Sequence, residues 1–152
     1  MPFFLSENTP KKALVDEARA IIDRQESETW RWYDADLLRF LEAGVVALER
    51  ERPASGYLGV RRVPRAPVDI PEPPARQDAA GSGSDSDETE RMQEYLAKME
   101  ELLAEPILVD GRWHGALVEY VCYEAFRRDE SDAASQKLAQ QHYQSFLELA
   151  QK

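Results

Sequence analysis

A chain of 152 residues fits one ordinary domain with a real core, and its formal net charge of −10 argues against a protein that grips nucleic acid phosphates or anionic membranes by bulk electrostatics. No apolar run approaches the ~20 residues of a membrane span, and "MPFFLSENTP" lacks the basic flank and longer apolar core of a signal peptide, so a soluble, unexported protein is expected. One cysteine, Cys122, permits neither an internal disulfide nor a cysteine-based zinc site of the usual kind.

The first predicted element is an amphipathic helix in "NTPKKALVDEARAIIDR", with Thr9 as N-cap, Pro10 at the first helical position and Leu14, Ala18, Ile21 and Ile22 on one face. A second helix follows in "ETWRWYDADLLRFLEAGVVALERERP". Asp34 caps it, Leu37, Leu38, Leu41, Val45 and Leu48 form its stripe, and Pro53 ends it. Trp30 and Trp32 stand just before, placed to lock the first two helices together.

From Pro53 to Pro74 prolines crowd the chain, and "YLGVRRV" and "PVDI" are short enough for extended edge segments but too interrupted for central strands. This predicts a projecting arm. "RQDAAGSGSDSDE" then offers no apolar residue larger than alanine and reads as a flexible linker. Helical periodicity resumes in "DSDETERMQEYLAKMEELLAEP", where Met92, Tyr95, Leu96, Met99, Leu102 and Leu103 make a seam and Pro106 stands beyond the end. Gly81 to Glu105 holds eight acidic and two basic residues, a net −6 and more than half of the whole charge.

After the turn "VDGRW", "HGALVEYVCYEAFRRD" carries Leu117, Val118, Val121, Cys122, Ala125 and Phe126 on an apolar face. "DESD" breaks it, Ser131 or Asp132 caps a last helix, and Leu138, His142, Phe146 and Leu149 recur along that helix. The C-terminal third is therefore a helical hairpin. The expected fold is all-α: a four- to five-helix bundle with a long projecting, partly extended and flexible middle arm. Residues 1–52 supply a helical pair, 53–86 the arm and linker, 87–105 the acidic helix, and 106–152 the hairpin that completes a single domain.

Catalytic chemistry finds little purchase in this pattern. Cys122 falls between Val118, Val121 and Ala125, a setting that keeps a thiol protonated and inert. A metal site from His114, His142, Glu119 and Glu124 lacks any pair at the three- or four-residue spacing that presents two ligands on one helix, so Glu119 and Glu124 read as a solvated edge. No glycine loop has a phosphate-binding pattern. No catalytic residue, metal or cofactor is expected; the structural core is assigned to Trp30, Trp32, Leu41, Val121, Cys122, Phe126, His142 and Phe146.

Two features point toward partners. Arg61, Arg62, Arg65 and Arg76 give residues 53–80 a net +1, either to keep an exposed arm soluble or to dock an acidic partner through bidentate contacts. The seam of Met92, Leu96, Met99 and Leu103 packs either on its own bundle or on a neighbouring subunit.

"ETWRWYDADLLRFLEAGVVALERERPAS" resembles the N-terminal pattern of the head-to-tail adaptor, or connector, proteins of tailed bacteriophages: a tryptophan, an acidic cap, an amphipathic helix and an arginine-proline exit. "ALVEYVCYEAFRRDESDAASQKLAQQHYQSFLEL" is similar to their C-terminal hairpin, and with the first helix the likeness covers about two thirds of the chain. The resemblance implies a non-enzymatic virion protein, made in the host cytoplasm and placed at the head–tail interface. Its partners would be the portal protein, a tail or stopper (nozzle) protein, and copies of itself in a ring, with a dodecamer the implied number. Double-stranded DNA would pass through the lumen without specific binding, and no membrane is involved. Two other readings stay open: an acidic helical protein–protein interaction module, and a small metal-dependent hydrolase built on His114, His142 and Glu119.

Overall fold

The computed structural model describes residues 9–24, 32–58, 61–62, 68–73, 85–128 and 133–152. Among the described residues five α-helices run in chain order: α1 (Lys11–Arg24), α2 (Asp34–Glu51), α3 (Asp85–Ala104), α4 (His114–Arg127) and α5 (Ala133–Gln151). The fold is all-α, as expected. The only paired strands among the described residues are β1 (Tyr57–Leu58) and β2 (Arg61–Arg62), antiparallel with Tyr57 opposite Arg62.

The most apolar helix is at the centre. In α4 the residues Ala116, Leu117, Val118, Val121, Cys122, Ala125 and Phe126 are all buried, and the helix packs against α1, α2 and α5. Three sides of α4 therefore meet protein, which its wide apolar face requires. Gly44 of α2 lets that helix approach closely: a Cβ there would lie 3.1 Å from Cδ1 of Tyr120. Leu14, Val15, Ala18 and Ile22 of α1, and Leu37, Leu38, Leu41 and Leu48 of α2, complete the core from the other side.

Helix entries differ from expectation by a residue, each for a local reason. Helix α1 begins at Lys11, because Thr9 and Lys11 spend their backbone groups elsewhere: Ile107 donates to the Thr9 carbonyl at 2.8 Å, and Lys11 donates to the Glu105 carbonyl at 2.9 Å. Pro10 and Pro106 form the isolated antiparallel bridge between these bonds. Asp34 is not the cap of α2 but its first residue. The carboxylate of Asp36 accepts the Tyr33 N–H at 2.9 Å, while Asp34 pairs with Arg19 of α1 at 2.7 Å. Both acids still favour the helix N-terminus. Ser131 and Asp132, expected to cap α5, lie outside the described residues, as does Trp30.

Pro53 stops α2 and opens a short 3-10 turn, Pro53–Gly56, from which the β1–β2 hairpin emerges. The expectation that all of Pro53–Pro74 projects is narrowed at its far end. Val68 and Ile70 pack on the core, Pro73 is buried, and Arg39 of α2 holds the segment through the Ile70 carbonyl at 3.1 Å and Glu72 at 2.7 Å. The linker is also shorter than expected. Asp85 and Ser86 already belong to α3, whose acid-rich first turn suits the helix dipole.

Leu117 has no exposed surface and Leu96 is 56% exposed, so the two leucines should respond oppositely to truncation. Leu117→Ala is predicted to lower unfolding free energy by about 2–5 kcal/mol and Leu96→Ala to change it by less than about 0.5 kcal/mol, read from urea midpoints at constant m.

Candidate functional site

The groups singled out for chemistry gather along the α4–α5 hairpin. Helical periodicity on α4 points Tyr120, Tyr123 and Phe126 toward α5, which answers with His142, Tyr143 and Phe146. Tyr120 meets Phe146 edge to face at 5.1 Å, Tyr123 and Tyr143 lie 4.7 Å apart, and the His142 ring stacks on Phe126 at 5.5 Å with an interplanar angle of 10°. These rings interlock the two helices over several turns.

Cys122 is fully buried, with Sγ 4.0 Å from the Ala18 carbonyl oxygen. Burial, reinforced by Glu119 and Glu17, pushes its thiol up to about 12. Such a sulfur is neither nucleophile nor ligand at neutral pH. Val121, Phe126, Phe146 and Leu41 are buried as expected, while Trp32 and His142 are half-buried rather than enclosed.

Two expectations about the carboxylates are corrected. Glu119 on α4 and His142 on α5, which share no helix and hence no ligand spacing, meet across the hairpin with Oε2 and Nδ1 at 2.5 Å. Glu124 is not on a solvated edge. Its residue is 5% exposed, and its oxygens accept from Arg127 at 3.1 Å and Arg128 at 3.0 Å, the side-chain answer to burying a charge. His114 stays apart, with Nε2 2.8 Å from the Val109 carbonyl oxygen. Among the described residues no three histidine, cysteine, aspartate or glutamate side chains are grouped to hold a metal ion.

A cavity of about 310 Å³ opens between α2 and α4, lined by Trp32, Asp36, Arg39, Phe40, Glu124 and Arg128. Its carboxylates and guanidiniums already face one another: Asp36 with Arg39 at 3.7 Å, Glu124 with Arg128, whose guanidinium also lies 5.2 Å above the Phe40 ring. Among these lining side chains two carboxylates and two guanidiniums balance in formal charge. Sequence reasoning passed over this cavity, although the spacing of Asp36 to Arg39 and of Glu124 to Arg127 and Arg128 carries the signal of helical ion pairs.

The acidic helix answers the question its seam raised by dividing it. Met99 and Leu103 are buried, with Tyr95 and Leu102, against the chain's own core; Met92 and Leu96 are 40% and 56% exposed. The Tyr95 hydroxyl accepts the Ala35 N–H at 3.4 Å, which sets the N-terminal half of α3 beside the start of α2. Burial at that contact raises the Tyr95 phenol above its usual range. Arg61 and Arg62 sit on β2, and Arg65 and Arg76 lie outside the described residues. No helix among the described residues is long and apolar enough to cross a membrane. No family model, curated protein or solved structure matches the chain.

The native thiol of Cys122 is predicted to react with iodoacetamide about a thousandfold more slowly than in the urea-unfolded chain, followed by mass spectrometry. Tyr120 is likewise pushed up to about 12, by burial first and Glu124 next. Because the unfolded chain releases these protons earlier, it binds fewer protons than the native state as pH rises from the ordinary values of 9.0 and 10.0 toward about 12. Stability is then full below that window and falls through it, by up to about 1.4 kcal/mol per pH unit for the enclosed Cys122 thiol and by less for the half-buried Tyr120, which solvent screens. Cys122→Ala should flatten the fall between pH about 9 and about 12 in urea midpoints.

Proposed function

We propose that the protein is a structural, non-enzymatic subunit of a bacteriophage head-to-tail adaptor. It forms a ring below the portal, extends the DNA channel and offers the docking surface for a tail or stopper protein. In this reading the subunit is a four- to five-helix bundle, and its middle segment from residue 53, apart from residues 68–73 that pack on the core, is an arm that engages the portal. The observation that carries the proposal is the α4–α5 hairpin, where the stretch most like the adaptor pattern interlocks through six rings and a histidine–glutamate pair instead of exposing reactive groups. A rigid hairpin suits a part that transmits load within a ring.

The charge supports the same reading. Copies of a −10 chain arranged around a channel repel the phosphate backbone, so a duplex slides through without adhering. A second reading, an acidic helical module that binds a partner helix, draws support from the exposed Met92 and Leu96 on α3. Genomic context separates the two: portal, terminase and capsid genes beside the coding sequence favour the adaptor.

Electron microscopy of purified virions or portal-bound complexes tests the proposal. The expected result is rotationally symmetric density for this chain between portal and tail, and absence of the chain from the particle overturns it.

A further inference from the structure

The cavity between α2 and α4 sets two aromatic rings among its charged groups. Trp32 and Phe40 meet edge to face in its wall with centroids 5.4 Å apart, so flat apolar surface lies beside Arg39 and Arg128. Its volume of about 310 Å³ is at the small end of the range that holds small ligands, and aromatic walls with a few convergent polar groups are what such sites are made of.

The hydrogen-bonding capacity of these groups is lopsided. Both carboxylates are buried and engaged: Glu124 accepts from Nη2 of Arg127 at 3.1 and 3.2 Å and from Nε and Nη2 of Arg128 at 3.2 and 3.0 Å, while Asp36 accepts the Tyr33 N–H at 2.9 Å. The guanidiniums reach solvent and keep donors in hand. Arg128 commits Nε and Nη2 to Glu124, and Arg39 commits Nη2 to the Ile70 carbonyl and Glu72. Nη1 of Arg128, and Nε and Nη1 of Arg39, make no hydrogen bond among the described residues; Nη1 of Arg39 stands 3.7 Å from Asp36 Oδ1, beyond hydrogen-bond reach. With Glu72 and Arg127 included the formal charges still cancel, so the unfilled donors, and not net charge, select what enters.

We propose that this cavity binds a carboxylate carried on an aromatic ring, its oxygens taking the free donors of Arg39 and Arg128 and its ring lying against Trp32 and Phe40. Guanidinium N–H groups match a carboxylate in geometry as well as charge, and the indole and phenyl walls suit a flat ring. A cation would meet carboxylates that are already engaged and two guanidiniums that repel it. The same chemistry comes from a free aromatic acid or from the C-terminal phenylalanine of another chain. The inference stands independently of the adaptor reading.

Titration of the full chain, followed by proton–nitrogen NMR at the Trp32 Nε1–H and Arg128 Nε–H signals, tests it. The probes are phenylacetate for the free acid, N-acetylglycyl-phenylalanine for the chain terminus, the amide of that dipeptide, and phenethylamine. We expect saturable shifts with a Kd of about 1 mM or tighter for at least one of the two acids, and binding weaker by about tenfold or more for the amide and the amine. Which acid binds names the source. Ala43, an exposed helical position in the cavity wall, allows Ala43→Leu to fill the space without touching a donor. Arg128→Lys keeps a positive charge beside Glu124 but removes the free Nη1. Each variant should weaken acid binding by about tenfold or more, with urea midpoints close to that of the native chain reporting an intact fold. Absence of saturable binding by either acid, amide or amine binding as tight as the acids, or acid binding unchanged in Ala43→Leu would overturn the proposal.

Discussion

Burial of α4 is the constraint on which the rest of the structure depends. Its apolar face spans too much of its circumference to be covered by one neighbour, so α1, α2 and α5 are all recruited around it. Each then shows its own apolar stripe inward. The one charge on α4 carried into the core, Glu124, is met by the two arginines at the end of its own helix, which fixes where α4 stops and where the cavity beside α2 begins. Leaving that carboxylate without them would cost more than the pair contributes, since an unpaired buried charge is the expensive state.

Much of this was legible in the sequence because helical burial repeats with the turn. Leu37 and Leu41 on α2, and Leu117, Val121 and Ala125 with Val118, Cys122 and Phe126 on α4, recur at four-residue steps, and all are buried. What periodicity within one helix cannot express is contact between helices. Glu119 and His142 were invisible as a pair because their meeting depends on how α4 and α5 cross, not on spacing along either. Asp34 was misplaced for the same reason: a good local cap was drawn away by Arg19 on another helix. The acidic seam shows the limit from the other side. Six apolar positions run along α3, but only Tyr95, Met99, Leu102 and Leu103 are turned into the core, and Met92 and Leu96, at the edge of that face, stay exposed.

Surface chemistry was legible only as charge counted along the chain. The count located an acidic helix and a basic middle segment. The stacked rings of the hairpin, by contrast, look reactive in sequence and are spent on rigidity.

The small clasp at Pro10 and Pro106 has a mechanical meaning. Lys11 reaches Glu42 at 2.8 Å and Glu105 at 3.3 Å beside it, so the C-terminal end of α3 is tied to α1 and α2 by main-chain and side-chain bonds together. Toward its start the helix buries Tyr95, whose hydroxyl meets the Ala35 N–H, but leaves Met92 and Leu96 exposed. Under an outward pull, α3 would behave as a lever with its fulcrum at Pro106, peeling from the tip toward the clasp. Opening therefore proceeds in a set direction, exposing Met99 before Leu103, and the helix can swing away without being cut loose from the body.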